Sequence, residues 1–204
     1  MKLLILGATG RTGRLVTEKA LSRGHHVTAF VRTPSLPARE RLAVVVGDPR
    51  RIDDLLAVLP GHDAVISCLG NATAPADRRL VTESASAMLT AMNTLNIRRY
   101  VVQSGALLFP SMNPVIWALQ LGMASKLADA CAMEHVVRAG DADWTIVRPP
   151  QLKHGVDADG YRAQAGARPT RKWSSMKFTD LADFLLDAVE RGQFIRQIVG
   201  VASA

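Results

Sequence analysis

Lys2-Leu3-Leu4-Ile5-Leu6-Gly7-Ala8-Thr9-Gly10-Arg11-Thr12-Gly13 is the stretch whose reading decides the fold. Residues 3–6 form an unbroken apolar run closed by glycine, the pattern of a strand buried on both faces of a parallel sheet. Residues 11–22 read as a helix. The glycine-rich turn between them is placed where amides at a helix N-terminus can meet a pyrophosphate. Its three glycines have separate tasks. Gly7 permits the tight exit from the strand, Gly10 lets backbone approach phosphate with no Cβ in the way, and Gly13 lets the helix pack closely. The whole turn, Thr9, Arg11 and Thr12 included, is therefore assigned to cofactor binding.

Outward from this turn, apolar runs recur at residues 27–31, 43–46, 64–67, 100–103 and 144–147, most of them rich in β-branched residues. Between them, residues 52–59, 78–95 and 124–139 carry apolar or small side chains at three- and four-residue spacing, as helices do. This alternation predicts an α/β fold, a Rossmann-type doubly wound and mostly parallel sheet of order 3-2-1-4-5-6. After Pro149 the pattern changes. Residues 151–175 hold four glycines or prolines and much charge, and read as one long loop on the substrate side. Helix returns at 180–190 with Thr179 as its N-cap, and 197–201 reads as a seventh, edge strand.

Composition narrows the function. The 204 residues, 48% hydrophobic and 21% charged, suit one domain spanning 1–204 with a substantial core. The net charge of +7 invites a nucleic-acid reading, but the 25 lysines and arginines are scattered and aromatics make up only 5%, so anionic small ligands account for it and no nucleic-acid partner is expected. Cys68 and Cys131 are far apart and form no CxxC, which argues against a disulfide framework or thiolate zinc site, and no metal is expected. The four apolar residues before Gly7 are too few for a signal sequence or a membrane span. A cytoplasmic protein without a membrane partner, monomeric or homodimeric, is the expectation.

The cofactor can be argued from the end of the second strand, where NAD-specific sites place an acid against the ribose 2′-hydroxyl. Here the strand ends Phe30-Val31-Arg32-Thr33-Pro34. The planar fork of Arg32 suits a 2′-phosphate, Thr33 adds a hydroxyl, and NADP(H) is favoured over NAD(H). The competing reading of Arg32 is a solvated surface residue.

Taken together, GATGRTG, FVRTP, VVGDPRRIDDL, DAVISCLG and DWTIVRPPQL resemble the atypical short-chain dehydrogenases/reductases, the family that includes NmrA-like proteins and the biliverdin reductase B type of NADPH-dependent flavin reductase. The likeness runs from residue 1 to about 152, with a looser echo in Phe178-Thr179-Asp180-Leu181-Ala182. It implies that Asp48 lies near the adenine, and that Cys68, Leu69 and Gly70 lie under the ribose and pyrophosphate. Read alone, Asp48 is also a turn or helix-capping carboxylate, and Cys68 a small packing residue rather than a reactive thiol. Ser104, closing VVQSG, matches the position where the family keeps an active-site serine and is the candidate catalytic residue. The family's Tyr-x-x-x-Lys is missing: Tyr100 is followed at that spacing by Ser104, and Tyr161 by Ala165. Alcohol oxidation, epimerase and dehydratase chemistry through that pair are thereby disfavoured. Lys126 lies in the corresponding helix but reads as a surface residue.

A nicotinamide carries its own hydride, so a flavin or quinone acceptor, which can take its proton from water, tolerates the missing pair. Pro149, Pro150, Gln151 and Leu152 wall the nicotinamide pocket on this reading, or form only a turn. Residues 107–123, with Phe109, Trp117 and Leu121, cover an acceptor, meet a partner chain or serve the core. His154 reads as a solvated loop residue. Glu134 and Arg138, one helical turn apart, read as an intrahelical pair worth about 0.3–0.5 kcal/mol. The alternative class is an NmrA-like NADP(H)-binding redox sensor without turnover.

Overall fold

β1 (Lys2–Leu6) turns Leu3 and Ile5 to one face of the sheet and Leu4 and Leu6 to the other, and all four are fully buried. Successive strand side chains point to opposite faces, so an uninterrupted apolar strand serves two cores at once. The same division recurs in β4 (Ala64–Ser67), where Ala64 and Ile66 oppose Val65, and in β6 (Asp143–Arg148), where Val147 opposes Trp144 and Ile146. The computed structural model describes residues 1–34, 37–70, 78–155, 159–169 and 175–204, and no side chain for Lys126.

One core is closed by α1 (Arg11–Ser22) and α6 (Phe178–Glu190), through Val16, Ala20, Leu181 and Leu185. The other is closed by α2 (Ile52–Val58), α3 (Leu80–Thr94) and α5 (Ala124–Ala139), through Leu55, Met88, Met92 and Val137. Each such valine, leucine or methionine side chain, wholly removed from water, contributes about 1.5–3 kcal/mol. With β2 (His26–Val31), β3 (Leu42–Val46) and β5 (Arg99–Gln103), the parallel order β3-β2-β1-β4-β5-β6 is the doubly wound arrangement expected from the sequence. None of the described helices is long and apolar enough to cross a membrane.

The C-terminal third departs from expectation. A seventh strand is present as β10 (Gln197–Ser203), parallel to β6, but it is not the edge. The edge is β8 (Tyr161–Ala165), antiparallel to β10 and drawn from the stretch read as a loop. That stretch also supplies β7 (Gln151–Lys153), which pairs in parallel with β9 (Ser175–Lys177) in a small second sheet. Residues 156–158 and 170–174 of the expected loop lie outside the described residues. Thr179 is not the N-cap of α6: Lys177 holds that position, and Thr179 sits inside the first turn, its buried hydroxyl without a hydrogen-bond partner among the described residues. Residues 114–122, left open by the sequence, form α4 (Pro114–Gly122), which starts with proline at N1 and the Asn113 side chain accepting from the Val115 amide.

Candidate functional site

Gly7 adopts φ +73°, and a Cβ there would lie 2.8 Å from the Cys68 carbonyl oxygen. Gly13 is tighter still, since its Cβ would fall 2.1 Å from the Gly7 oxygen and 2.7 Å from the Gly7 carbonyl carbon. Both positions are fixed by backbone meeting backbone, so the last glycine seats α1 against the turn rather than on the sheet itself. Gly10 differs: its φ is −74°, and the nearest atom to a Cβ is the Gly7 oxygen at 3.2 Å. The turn is closed by the Gly10 amide donating to Gly7 O at 2.9 Å. Gly10 is also the N-cap of α1, which has no side-chain cap and no acid in its first turn. The positive end of the helix dipole is thus left for an outside anion. Thr9, Gly10 and Arg11 are exposed there and Thr12 is buried, while the Arg11 guanidinium lies 5.0 Å from the centroid of the Phe178 ring.

Arg32 and Thr33 emerge exposed from the end of β2. Asp48, beyond β3, is clamped by Arg50, whose Nη2 donates to Oδ2 at 2.7 Å and whose Nε and backbone amide reach Oδ1 at 3.0 Å. Those hydrogen bonds hold the Asp48 carboxyl below its ordinary value, and the nearby Arg32 charge works in the same direction. Asp48 is therefore a turn carboxylate and does not cap α2, whose N-cap is Arg51 without a side-chain bond.

A cleft of about 740 Å³ runs from Gly10, Arg11 and Thr12 past Cys68, Leu69 and Gly70 to Ser104, Pro149 and Gln151. It is completed by an apolar chamber of Leu107, Leu108, Leu119, Met123, Leu127 and Met133. The structure thus gathers most of the expected residues around one opening at the C-terminal ends of the parallel strands, where ligands of open α/β sheets bind. Arg32, Thr33 and Asp48 are not in its lining and stand at the β2–β3 side. Cys68 is buried, which pushes its thiol up to about 12 and makes it a packing residue. His154 is exposed and packs its ring at 5.3 Å from Phe178, itself a cleft residue.

Ser104 is held by its backbone amide donating to Val147 O at 2.7 Å, and its hydroxyl donates to Glu134 Oε1 at 2.6 Å. Glu134 is buried on α5 and takes both arms of Arg148, from Nε at 2.9 Å and from Nη2 at 2.5 Å. The Arg148 guanidinium in turn lies 4.6 Å from the centroid of Phe109. This corrects the reading of Glu134 as the partner of Arg138, which is exposed. A carboxylate inside the apolar run Cys131-Ala132-Met133-Glu134 was the available signal for a buried partner, but nothing local named Ser104 or Arg148. Phe178, which links Arg11, His154 and the cleft, was also missed.

Neither of the two tyrosines reaches the cleft. Tyr100 is buried in the second core, and burial raises its phenol. Tyr161 donates to Asp187 at 2.6 Å beside α6, where burial first and that bond second push it up to about 12.

A family model described as NAD(P)H-binding matches residues 7–191. The uncharacterized Bacillus subtilis protein YwnB is 32% identical over 107 residues, covering 52% of this chain and 48% of that protein. The oxidoreductase stcQ of Emericella nidulans is 26% identical over 98% of this chain and 82% of its own length. Among solved structures, a proposed NADH-flavin reductase from Streptococcus pneumoniae superposes with a TM-score of 0.80 at 26% identity, covering the whole of both chains. A Veillonella parvula short-chain dehydrogenase/reductase solved with NADP shares the fold at TM-score 0.82 and 19% identity, over 98% of this chain and 94% of that one.

Proposed function

The chain belongs to the NAD(P)H-binding family, and from that premise we propose that it is an NADPH-dependent reductase acting on a flat, conjugated acceptor of the flavin or quinone class. The observation that carries this reading is the single cleft that joins an uncapped helix N-terminus to an apolar chamber containing Ser104 and no tyrosine.

The residues present fit such a cofactor. Gly7, Gly10 and Gly13 keep side chains out of the turn, and a Cβ on Gly70 would meet nothing within 4 Å. On this reading the first-turn amides of α1, together with Thr9, Arg11 and Thr12, hold the pyrophosphate. Arg32 and Thr33 take the 2′-phosphate, Asp48 with its Arg50 clamp borders the adenine, and Cys68, Leu69 and Gly70 lie under the ribose. Ser104, Pro149 and Gln151 border the nicotinamide end, and Leu152 and Phe178 flank the acceptor. The cofactor, when bound, supplies a hydride. The chain's own part is to exclude water with Leu107, Leu119 and Met133 and to orient the two ring systems. With no phenol in the cleft, the proton required by a reduced acceptor comes from solvent.

A second reading, an NADP(H)-responsive regulator, draws on a different observation: Met112, Val115, Trp117 and Leu121 leave α4 and its approach with a large exposed apolar surface. Steady-state oxidation of NADPH, followed at the nicotinamide absorbance with 2-methyl-1,4-naphthoquinone or FMN, separates the two. Turnover is expected. NADPH binding with no oxidation by either acceptor would favour the regulator.

A further inference from the structure

Ser104 has one hydroxyl proton, and the structure spends it. The hydroxyl oxygen lies 2.6 Å from Glu134 Oε1, and both Glu134 oxygens accept from Arg148. A carboxylate held by both arms of a guanidinium offers only lone pairs, so the serine must be the donor. Rotation away from this bond would leave Glu134 Oε1 with the Arg148 Nε bond alone and forfeit a charge-assisted hydrogen bond where the Glu134 side chain is only 5% exposed. The support extends backward, since Arg148 is 12% exposed and rests on Phe109.

From this geometry we propose that Glu134 is a positioning residue that locks Ser104 as a hydrogen-bond acceptor toward the cleft. The proposal rests on the cofactor and acceptor reading above and narrows it. The ligand edge that meets Ser104 carries an N–H donor, an amide such as the nicotinamide carboxamide or an imide such as that of a flavin ring. Ser104 gives no proton to a bound ligand. A serine whose proton was free could serve carbonyl oxygens and N–H groups alike; this one discriminates between them.

The test compares two pairs of probes that differ in one donor. NADP+ is titrated against its 3-acetylpyridine analogue, which replaces the carboxamide by a methyl ketone. Lumiflavin is titrated against N3-methyl-lumiflavin in the presence of NADP+. Binding is read by intrinsic tryptophan and flavin fluorescence, without turnover. In the unaltered protein the N–H member of at least one pair binds about tenfold more tightly, the scale of one well-made hydrogen bond. Ser104→Ala and Glu134→Met each reduce that preference to about twofold or less, and the double variant goes no further, because the two residues act through one bond. Glu134→Met leaves Arg148 without its counter-charge, so Glu134→Met with Arg148→Met is the companion variant if the single one fails to fold. A residue serving stability alone would lower Tm and leave the preference intact. That result, or the absence of any preference in the unaltered protein, overturns the proposal. Failure of the unaltered protein to bind NADP+ at all is a separate outcome, which overturns the cofactor reading and this inference with it.

Discussion

Alanine at Gly10 and alanine at Gly13 are expected to fail in opposite ways. At Gly13 the added Cβ would lie 2.1 Å from the Gly7 oxygen and 2.9 Å from Ala8 Cα, all of it backbone that no rotamer change can relieve. An ordinary contact needs about 3.5 Å, so α1 or the turn must move by more than an ångström. Overpacking of this severity costs about 3 kcal/mol, and in a domain of this size lowers Tm by about 6–12 °C. At Gly10 the backbone already has φ −74° and the nearest neighbour of a Cβ is 3.2 Å away. There the reduced entropy of the unfolded chain, about 0.4–1 kcal/mol, offsets the slight crowding, and Tm should stay within about 3 °C of the parent. Binding should reverse the ranking of damage. A methyl at Gly10 stands where the anion must approach the helix N-terminus, and losing one or two charge-assisted hydrogen bonds weakens NADPH binding by about 10- to 100-fold. Thermal melts and NADPH fluorescence titrations of both variants decide the matter. A Gly10→Ala protein that binds NADPH like the parent, or a Gly13→Ala protein that melts like it, would refute the assignment of the turn.

Arg32→Glu should weaken NADPH binding by about 100-fold while leaving NADH within a few-fold, measured by paired titrations, because only NADPH carries the 2′-phosphate. Tyr161→Phe should leave turnover unchanged and lower stability by about 1 kcal/mol through loss of the bond to Asp187, as denaturant unfolding will show. Of the two cysteines, exposed Cys131 alone should react with a disulfide reagent in the folded protein, and both after unfolding. Burial raises the Cys68 thiol from its ordinary 9.0 to about 12, so the unfolded chain releases this proton first. The associated stability is fully present below pH 9 and is lost progressively as pH rises toward 12. Cys68→Ala should remove that contribution from denaturant unfolding measured across the window.

The first six strands were legible because each is short and apolar; five of them are buried on both faces, which leaves little choice of partner, while β3, at the edge of the sheet, is only partly buried and was read from its β-branched run. The glycine turn was legible because its context, strand before and helix after, is as informative as its glycines. β8 was not: Tyr161-Arg162-Ala163-Gln164-Ala165 has only half-buried residues on one face, and its place depends on pairing with β10, more than thirty residues away. α4 is apolar on nearly every side, so no periodicity distinguished helix from cover. At the site, Ser104 could be read from its position after β5, whereas its locking partner could not. Helical spacing offered Arg138 to Glu134, but the low dielectric of the interior favours Arg148, which reaches Glu134 from the neighbouring strand with both nitrogens.

On the proposed function, one cleft binds NADPH and delivers reducing equivalents to a conjugated ring. The most direct test titrates NADPH and NADH in parallel by fluorescence, then adds 2-methyl-1,4-naphthoquinone to the same cuvette and follows the nicotinamide absorbance. Tighter binding of NADPH, by about tenfold or more, followed by steady loss of absorbance is the predicted result. Equal affinity for the two nucleotides would contradict the role of Arg32, and tight binding with a flat absorbance trace would contradict the reductase itself.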